Sequence, residues 1–431
     1  MSKHPETLPP HFRWNFCAFM VDYVCFSVAL TFANLSSVIP AFVGQLTDSA
    51  LVIGLVGTVF NGGWLLPQLA IARLINDKPR KKPYMLAGTS GRVLFWVIAL
   101  GLWIGLDRYP TAMLILFFIC LGLFAATDGL VSVAWFDVLA RAIPLRQRGR
   151  LIGLSQFIGG LTGIGVGVLV GLILERRPFP GNYALLFALA GIALVPSTIA
   201  LFLIREPPLK NTDSEEEGNS QAQTKTKSDW LKILSDPVFR RLMACRMLVG
   251  MIGLATSFYV VHASDVLHLP QSVIGKFVIA QTSAGVAASL LLGLISERWG
   301  PRYVARIGSA AAITGPLFAL AAHLAADGWL VQGYPFVYVA MGFVNSTWML
   351  GFTNYMLEIA PDDMRPAYIG LGNTILGVLT FVPMAGGWLL EVTSYTVLFG
   401  ATSAIVAVGF LLTLGLEPPR QAATEPANES S

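Results

Sequence analysis

Long apolar runs, interrupted by short clusters of charged and turn-forming residues, set the pattern of this chain. A helix that crosses a hydrocarbon core about 30 Å thick needs roughly 20 apolar residues. Twelve runs meet that need. Six fall at 14–40, 50–75, 84–106, 111–140, 151–175 and 182–204, and six more at 241–264, 272–296, 303–325, 333–357, 368–390 and 395–416. The runs are continuous, whereas membrane barrels show segments of about 10 residues that alternate in polarity. The pattern therefore predicts an all-α membrane protein of twelve transmembrane helices, here called spans 1 to 12. The run from Trp14 is too long for a cleavable leader and is expected to be span 1 itself.

The polar segments between spans repeat. Span 4 leaves its apolar run through Asp137, Pro144, Arg148, Gly149 and Gly153, and span 10 through Asn354, Glu358, Pro361, Arg365 and Gly370. Pro, Arg and Gly recur at a constant offset of 217, which also places Asp128 on Asn345 and Gly160 on Gly377. Span 6 ends Glu206-Pro207-Pro208 and span 12 ends Glu417-Pro418-Pro419, where proline stops a helix by withholding a backbone donor. Gly293 to Arg302 after span 8 aligns with Ala72 to Lys81 after span 2 at an offset of 221. Three ordered landmarks at near-constant spacing predict two copies of one half. The expected organisation is a first half at 1–204, a polar linker at 205–240, a second half at 241–416 and a tail at 417–431. Asn211 to Ser228 reads as flexible, and Asp229 to Leu234 either as a short interfacial helix or as the start of span 7.

Composition agrees: 55% of the 431 residues are hydrophobic, 13% are charged and mean hydropathy is +0.65. That is about half the charge of an average soluble domain. Placing the N-terminus inside puts 23 of the 29 Lys and Arg on the internal side, 4 outside (Arg108, Arg176, Arg177, Lys276) and Arg92 and Arg246 within spans. The positive-inside rule then predicts both termini in the cytoplasm of a multi-pass cell (plasma or inner) membrane protein. The same distribution assigns the net charge of +4 to loops and leaves no nucleic-acid partner to expect. Cys17, Cys25, Cys120 and Cys245 sit in apolar runs without metal-ligand or disulfide spacing. No nucleophile elbow, zinc-protease or phosphate-loop motif occurs, so neither an enzyme nor an ATP-driven pump, neither metal nor cofactor, is expected.

Gly293-x-x-x-Glu297-Arg298-x-Gly300-x-Arg302 resembles the cytoplasmic loop signature of the major facilitator superfamily, here stronger in the second half than in the first. In the first half Ala72, Asn76 and Pro79 replace the expected Gly, Asp and Gly, and Asp77 is the acid that remains. Glu358-x-x-Pro361-x-x-x-Arg365 and Pro144-x-x-x-Arg148-Gly149 resemble the patterns after spans 10 and 4. The resemblance implies two pseudo-symmetric six-helix bundles, a monomer, and a small-molecule solute carried by alternating access. Spans 1, 4, 7 and 10 would line a cavity, and spans 2, 5, 8 and 11 would meet across the interface.

Ionisable groups within lipid cost roughly 2.5–3.5 kcal/mol on insertion scales, so they mark pathways or partners. Asp128 lies near mid-membrane in span 4, with Asn345 as its repeat counterpart; it is either a proton carrier at a solute site or a structural carboxylate paired with Arg92 or Arg246. Asp22 and Arg246 sit at similar depth in spans 1 and 7; they either form a pair between halves that breaks in one state, or each is satisfied in its own half. Asn34, Trp135, Trp348 and Tyr355 add polar or aromatic surface on cavity spans, and Asn61, Trp64, Gln68, Gln281 and Asn373 do so more weakly on interface spans. Gly163, Gly167 and Gly171 share one face of span 5 and predict close packing, or sliding, against span 8. The family's loop roles imply that Glu297, Arg298 and Arg302 latch the outward-open state, and that Arg148 and Arg365 pair with acidic loop groups. A proline-containing antiporter signature is absent from span 5; Pro383-x-x-Gly386-Gly387 in span 11 is the nearer match. The alternative to a transporter is a non-transporting receptor or assembly factor on the same fold.

Overall fold

A computed structural model of the chain describes residues 9–76, 78–207, 226–325, 328–361 and 364–418. The described residues are helical, and twelve helices are long and apolar enough to cross a membrane. In the first half, spans 1 to 6 are Phe12–Phe32, Ala50–Gln68, Lys82–Trp103, Pro110–Ala142, Arg146–Arg176 and Gly181–Leu203. Spans 7 to 12 are Pro237–Asp265, Val273–Trp299, Pro301–Ala325, Phe336–Ile359, Ala367–Val392 and Tyr395–Leu414. An even number of crossings leaves the start of span 1 and the end of span 12 on one face, called here the terminal face; the opposite one is the far face.

Span 4 shows why the solvent must be apolar. Phe117, Cys120, Leu121 and Phe124 are buried against neighbours, while Ile115, Ile119 and Leu123 on the other side are 56%, 55% and 52% exposed. Residues spaced by four share one helix face. A helix apolar on both its packed and its open face suits lipid and not water.

Within each half, helix ends are tied at the terminal face. Arg148 donates to Ala140 O and Ile143 O, and Arg365 donates to Leu357 O. Both arginines thus reach back eight residues to cap the preceding helix, the same device at the repeat offset. For Arg148 the bonds described go to carbonyls at the end of span 4, which lack helical partners and attract a cation. Glu206 accepts from the amides of Lys81 and Lys82 at the start of span 3 and lies 3.7 Å from Arg141. At the end of span 12, Arg306 donates to the carbonyls of Thr413, Leu414 and Leu416.

The two halves meet along spans 2 and 11 and spans 5 and 8. On the far side this contact is backbone to backbone. A Cβ added at Gly275 would stand 2.5 Å from Gly171 Cα, and one at Gly167 would crowd Ile279. Gly163 faces Thr282, so the span 5 glycines pack on span 8 along one stripe. Gly54 and Gly57 of span 2 press on Pro383 of span 11, and Gly387 presses on Ala50. Towards the terminal face, Gly149, Gly153, Gly293 and Gly370 have open space where a Cβ would be. A helix, Thr226–Ser235, precedes span 7. The flexible segment expected at 211–228 lies mostly outside the described residues, as do Asp77 and the tail beyond Pro418.

Candidate functional site: a polar cavity between the halves

A cavity of about 470 Å³ lies between the halves, walled by spans 1, 2, 7, 8, 10 and 11. Its polar lining is Asn34, Ser36, Asn61, Thr256, Ser257, Gln281 and Asn345, with Trp348, Phe60 and Met341 as apolar walls. Local breaks in the helices shape it. Span 1 ends at Phe32, and Asn34 Oδ1 accepts from the Ser36 amide (3.0 Å) and the Ser37 hydroxyl (3.0 Å), turning the chain into the short helix Val38–Gly44. Span 7 breaks after Gly250 and again near Ser257, exposing small polar residues at mid-membrane. Span 10 takes a π-helical turn over Trp348–Thr353, a wide turn found often at functional sites.

The cavity is sealed on the far side by bonds between the halves. Asn34 Nδ2 donates to Gln281 Oε1 (3.3 Å), and Ser36 Oγ lies 3.1 Å from the same oxygen. Tyr338 donates to Ser36 O. At the far rim, Glu391 of span 11 accepts from Ser49 Oγ (2.5 Å) and from the Leu51 amide (3.1 Å) at the start of span 2. A carboxylate on these first amides caps a helix of the opposite half.

Asn34, Asn345 and Trp348, expected on the cavity wall, are there. Trp135 and Tyr355 are not: Trp135 is buried inside the first half, and the Tyr355 hydroxyl donates to Glu417 O near the terminal face. Asp22 belongs with Trp135. Its carboxylate accepts from Ser197 Oγ (2.6 Å) and Trp135 Nε1 (2.9 Å) and is ion-paired with Arg92 (3.5 Å), which also donates to Ser197 and Thr198. Of the two readings for Asp22 and Arg246, this structure has Asp22 satisfied within its own half and not paired with Arg246. Tight packing brings this about, since Gly88 and Gly91 of span 3 lie directly on Thr127 of span 4 and carry Arg92 inward.

Asp128 is half-buried one residue beyond that contact. No ion pair holds it among the described residues, either with Arg92 or with Arg246. It does not line the cavity. Arg246 is 8% exposed, with Nε and Nη1 unpartnered. Among the loop groups, Glu297 and Glu358 are exposed, Arg298 stacks over Trp299 and Arg302 over Tyr303. Ser36, Thr256 and Ser257 were not singled out by sequence; the run Gly250 to Ser257, rich in Gly, Ser and Thr, was the available signal for a broken span. His262 and His323, far apart in sequence, meet at 3.2 Å on the far side, and His262 Nδ1 lies 2.9 Å from the Tyr334 hydroxyl.

Known proteins share this architecture. The chain superposes on a bacterial homologue of the iron transporter ferroportin in its inward-facing state with a TM-score of 0.71 at 12% identity, covering 93% of this chain and 98% of that one. It superposes on the inward-open xylose transporter of E. coli with a TM-score of 0.67 at 14% identity, covering 94% and 98%. At such identities the likeness is one of fold. An uncharacterized protein of Mycobacterium tuberculosis is 22% identical over 282 residues, which is 65% of this chain and 54% of that relative, so the chain matches only about half the length of this relative. The sequence pattern of the Major Facilitator Superfamily matches residues 23–382. Twelve spans in two related sextets, a cavity between them and that match together place this chain in the Major Facilitator Superfamily.

Proposed function

We propose that this chain is a secondary active transporter that carries a small polar solute by alternating access, with Asp128 as its proton carrier. One observation carries the reading: a polar cavity at the centre of the molecule is closed on the far side by contacts between the halves, while glycines towards the terminal face are open. Placing the terminal face in the cytoplasm, as the 23-to-4 distribution of Lys and Arg favours, makes this the inward-open state of a cell-membrane protein. Alternating access then requires the far-side bonds to break as the terminal-side groups close. Glu297, at the end of span 8, would meet the start of span 5 at Arg146 in that second state, where a helix N-terminus favours an acid.

Asp128 fits the carrier role because it lies within span 4 and no ion pair holds it among the described residues, whereas Asp22 is ion-paired with Arg92. A proton taken up at Asp128 removes a charge that lipid-embedded helices would otherwise hold through the transition.

The test is uptake by proteoliposomes of a panel of labelled polar solutes, with and without an inward proton gradient. We expect gradient-driven accumulation by the wild type. Asp128→Asn should lose accumulation and retain exchange of solute down its own gradient. Gradient-driven accumulation that survives Asp128→Asn would remove Asp128 from the mechanism. Absence of both uptake and exchange across the panel would favour the receptor or assembly-factor reading.

A further inference from the structure

Arg246 is a buried charge within span 7 that no carboxylate balances among the described residues. It lies nine residues into span 7, about 13–14 Å along the helix from Pro237. Its Nε and Nη1 are buried without a hydrogen-bond partner, and no ion pair joins it to a carboxylate among the described residues. The other buried arginine, Arg92, has Asp22, Ser197 and Thr198 around it. A buried cation left alone is the costly arrangement, and it calls for an anion that arrives from elsewhere.

The geometry indicates where that anion would sit. Arg246 and Gly250 share one face of the helix Pro237–Gly250 by their spacing of four residues, which places Arg246 one turn before the cavity wall. Gly250 and Gly253 line the cavity, and Cβ atoms added there would meet Leu379 and Val382 of span 11. Helical side chains lean towards the helix N-terminus, which for span 7 is the terminal face. Arg246 therefore lies between the cavity and the open side. The polar lining itself is neutral: amides and hydroxyls that can orient a polar body but cannot balance a charge.

We propose that the cargo bears an anionic group, a carboxylate or a phosphate, which Arg246 binds while the polar body of the cargo occupies the cavity. This rests on the transporter reading and narrows its substrate class. A guanidinium suits such groups because its planar N–H donors match two anionic oxygens at once. It also makes reorientation feasible, since cargo anion and Arg246 cancel one another inside the bilayer and a proton neutralises Asp128 in the other half.

Thermal melting of the purified full-length protein in detergent tests this with matched pairs of probes: lactate and lactamide, succinate and succinamide, glycerol 3-phosphate and glycerol. At least one acid should raise Tm while its neutral counterpart does not. Arg246→Gln should abolish that response, with affinity down roughly 10- to 100-fold, and Arg246→Lys should keep part of it. Equal shifts by acid and neutral partner, no shift by any acid, or a full acid response in Arg246→Gln would overturn the proposal. So would restoration of wild-type Tm in the Asp128→Asn, Arg246→Gln double variant beyond either single, which would make Asp128 the partner of Arg246. If Arg246→Gln does not fold, the comparison of acid with neutral probe on the wild type and on Arg246→Lys still decides. An acid that binds through Arg246 yet never enters proteoliposomes would refute transport and leave the anion site standing; uptake confined to neutral solutes would do the reverse.

Discussion

Asp22 and Arg92 show at the residue scale how a charge is tolerated inside a membrane protein: each is nearly buried, and the carboxylate gathers a guanidinium, a hydroxyl and an indole around it. Breaking one side of such a pair strands the other, at a cost of about 3–5 kcal/mol. Asp22→Asn should therefore lower the melting temperature markedly, and Asp22→Asn combined with Arg92→Met should recover much of the loss. Melting of the double variant as low as that of the single would show that packing, not charge, dominates there. None of these partnerships could be read from sequence, because Arg92, Trp135 and Ser197 lie 70, 113 and 175 positions from Asp22. Depth along a helix was legible and suggested Arg246 as the partner. Which way the helix turns its side chain depends on neighbours that only packing selects. Asn34, by contrast, was legible as a polar residue within the apolar run 14–40, although the end of span 1 at Phe32 and the turn that Asn34 caps were not.

At the scale of elements the twelve spans follow from hydropathy, because lipid leaves the backbone no partner other than itself. Their interruptions followed less readily. The breaks in span 7 at Gly250 and Ser257 have Gly, Ser and Thr as a signal, as does the 3₁₀ segment Thr89–Val93 in span 3, which opens Gly88-Thr89-Ser90-Gly91. The glycine stripe of span 5 was visible as a spacing of four; that it meets Gly275 of span 8 needed the fold. Gly275→Val places methyl groups where backbone already stands, and overpacking costs typically about 1–3 kcal/mol. The variant should lose far-side closure while keeping its fold. A cysteine introduced at Asn182, buried in this structure, in a background without native cysteines should then react faster with a membrane-impermeant maleimide. Unchanged labelling with an unchanged melting temperature would mean that spans 5 and 8 do not seal the far side.

For the whole molecule, duplication was legible from loop residues, and the arginine caps at Ala140 and Leu357 recur at the repeat offset. The conformational state was not legible, since under the proposed alternating access one sequence encodes at least two. Across the far rim, Glu391 is the charged contact between halves, holding Ser49 and Leu51 of span 2. Glu391→Ala should shift the population away from the inward-open form. Spin labels at Gly149 and Gly370 on the terminal face should report shorter distances in the variant than in the wild type, and an identical distance distribution would refute the latch. Asp128→Asn, in contrast, should leave that distribution bound by the same far-side contacts.

The meeting of Gly171 with Gly275 has one more consequence. Two bare main chains touching over a short stretch have no interlocking side chains to disengage, so the joint is smooth and shallow in energy. Such a seam can serve as a bearing: it holds the halves in alignment while offering little resistance to rocking. Sequence drift at those positions would then retune how the carrier divides its time between its two faces, long before it threatened the ability of the chain to fold.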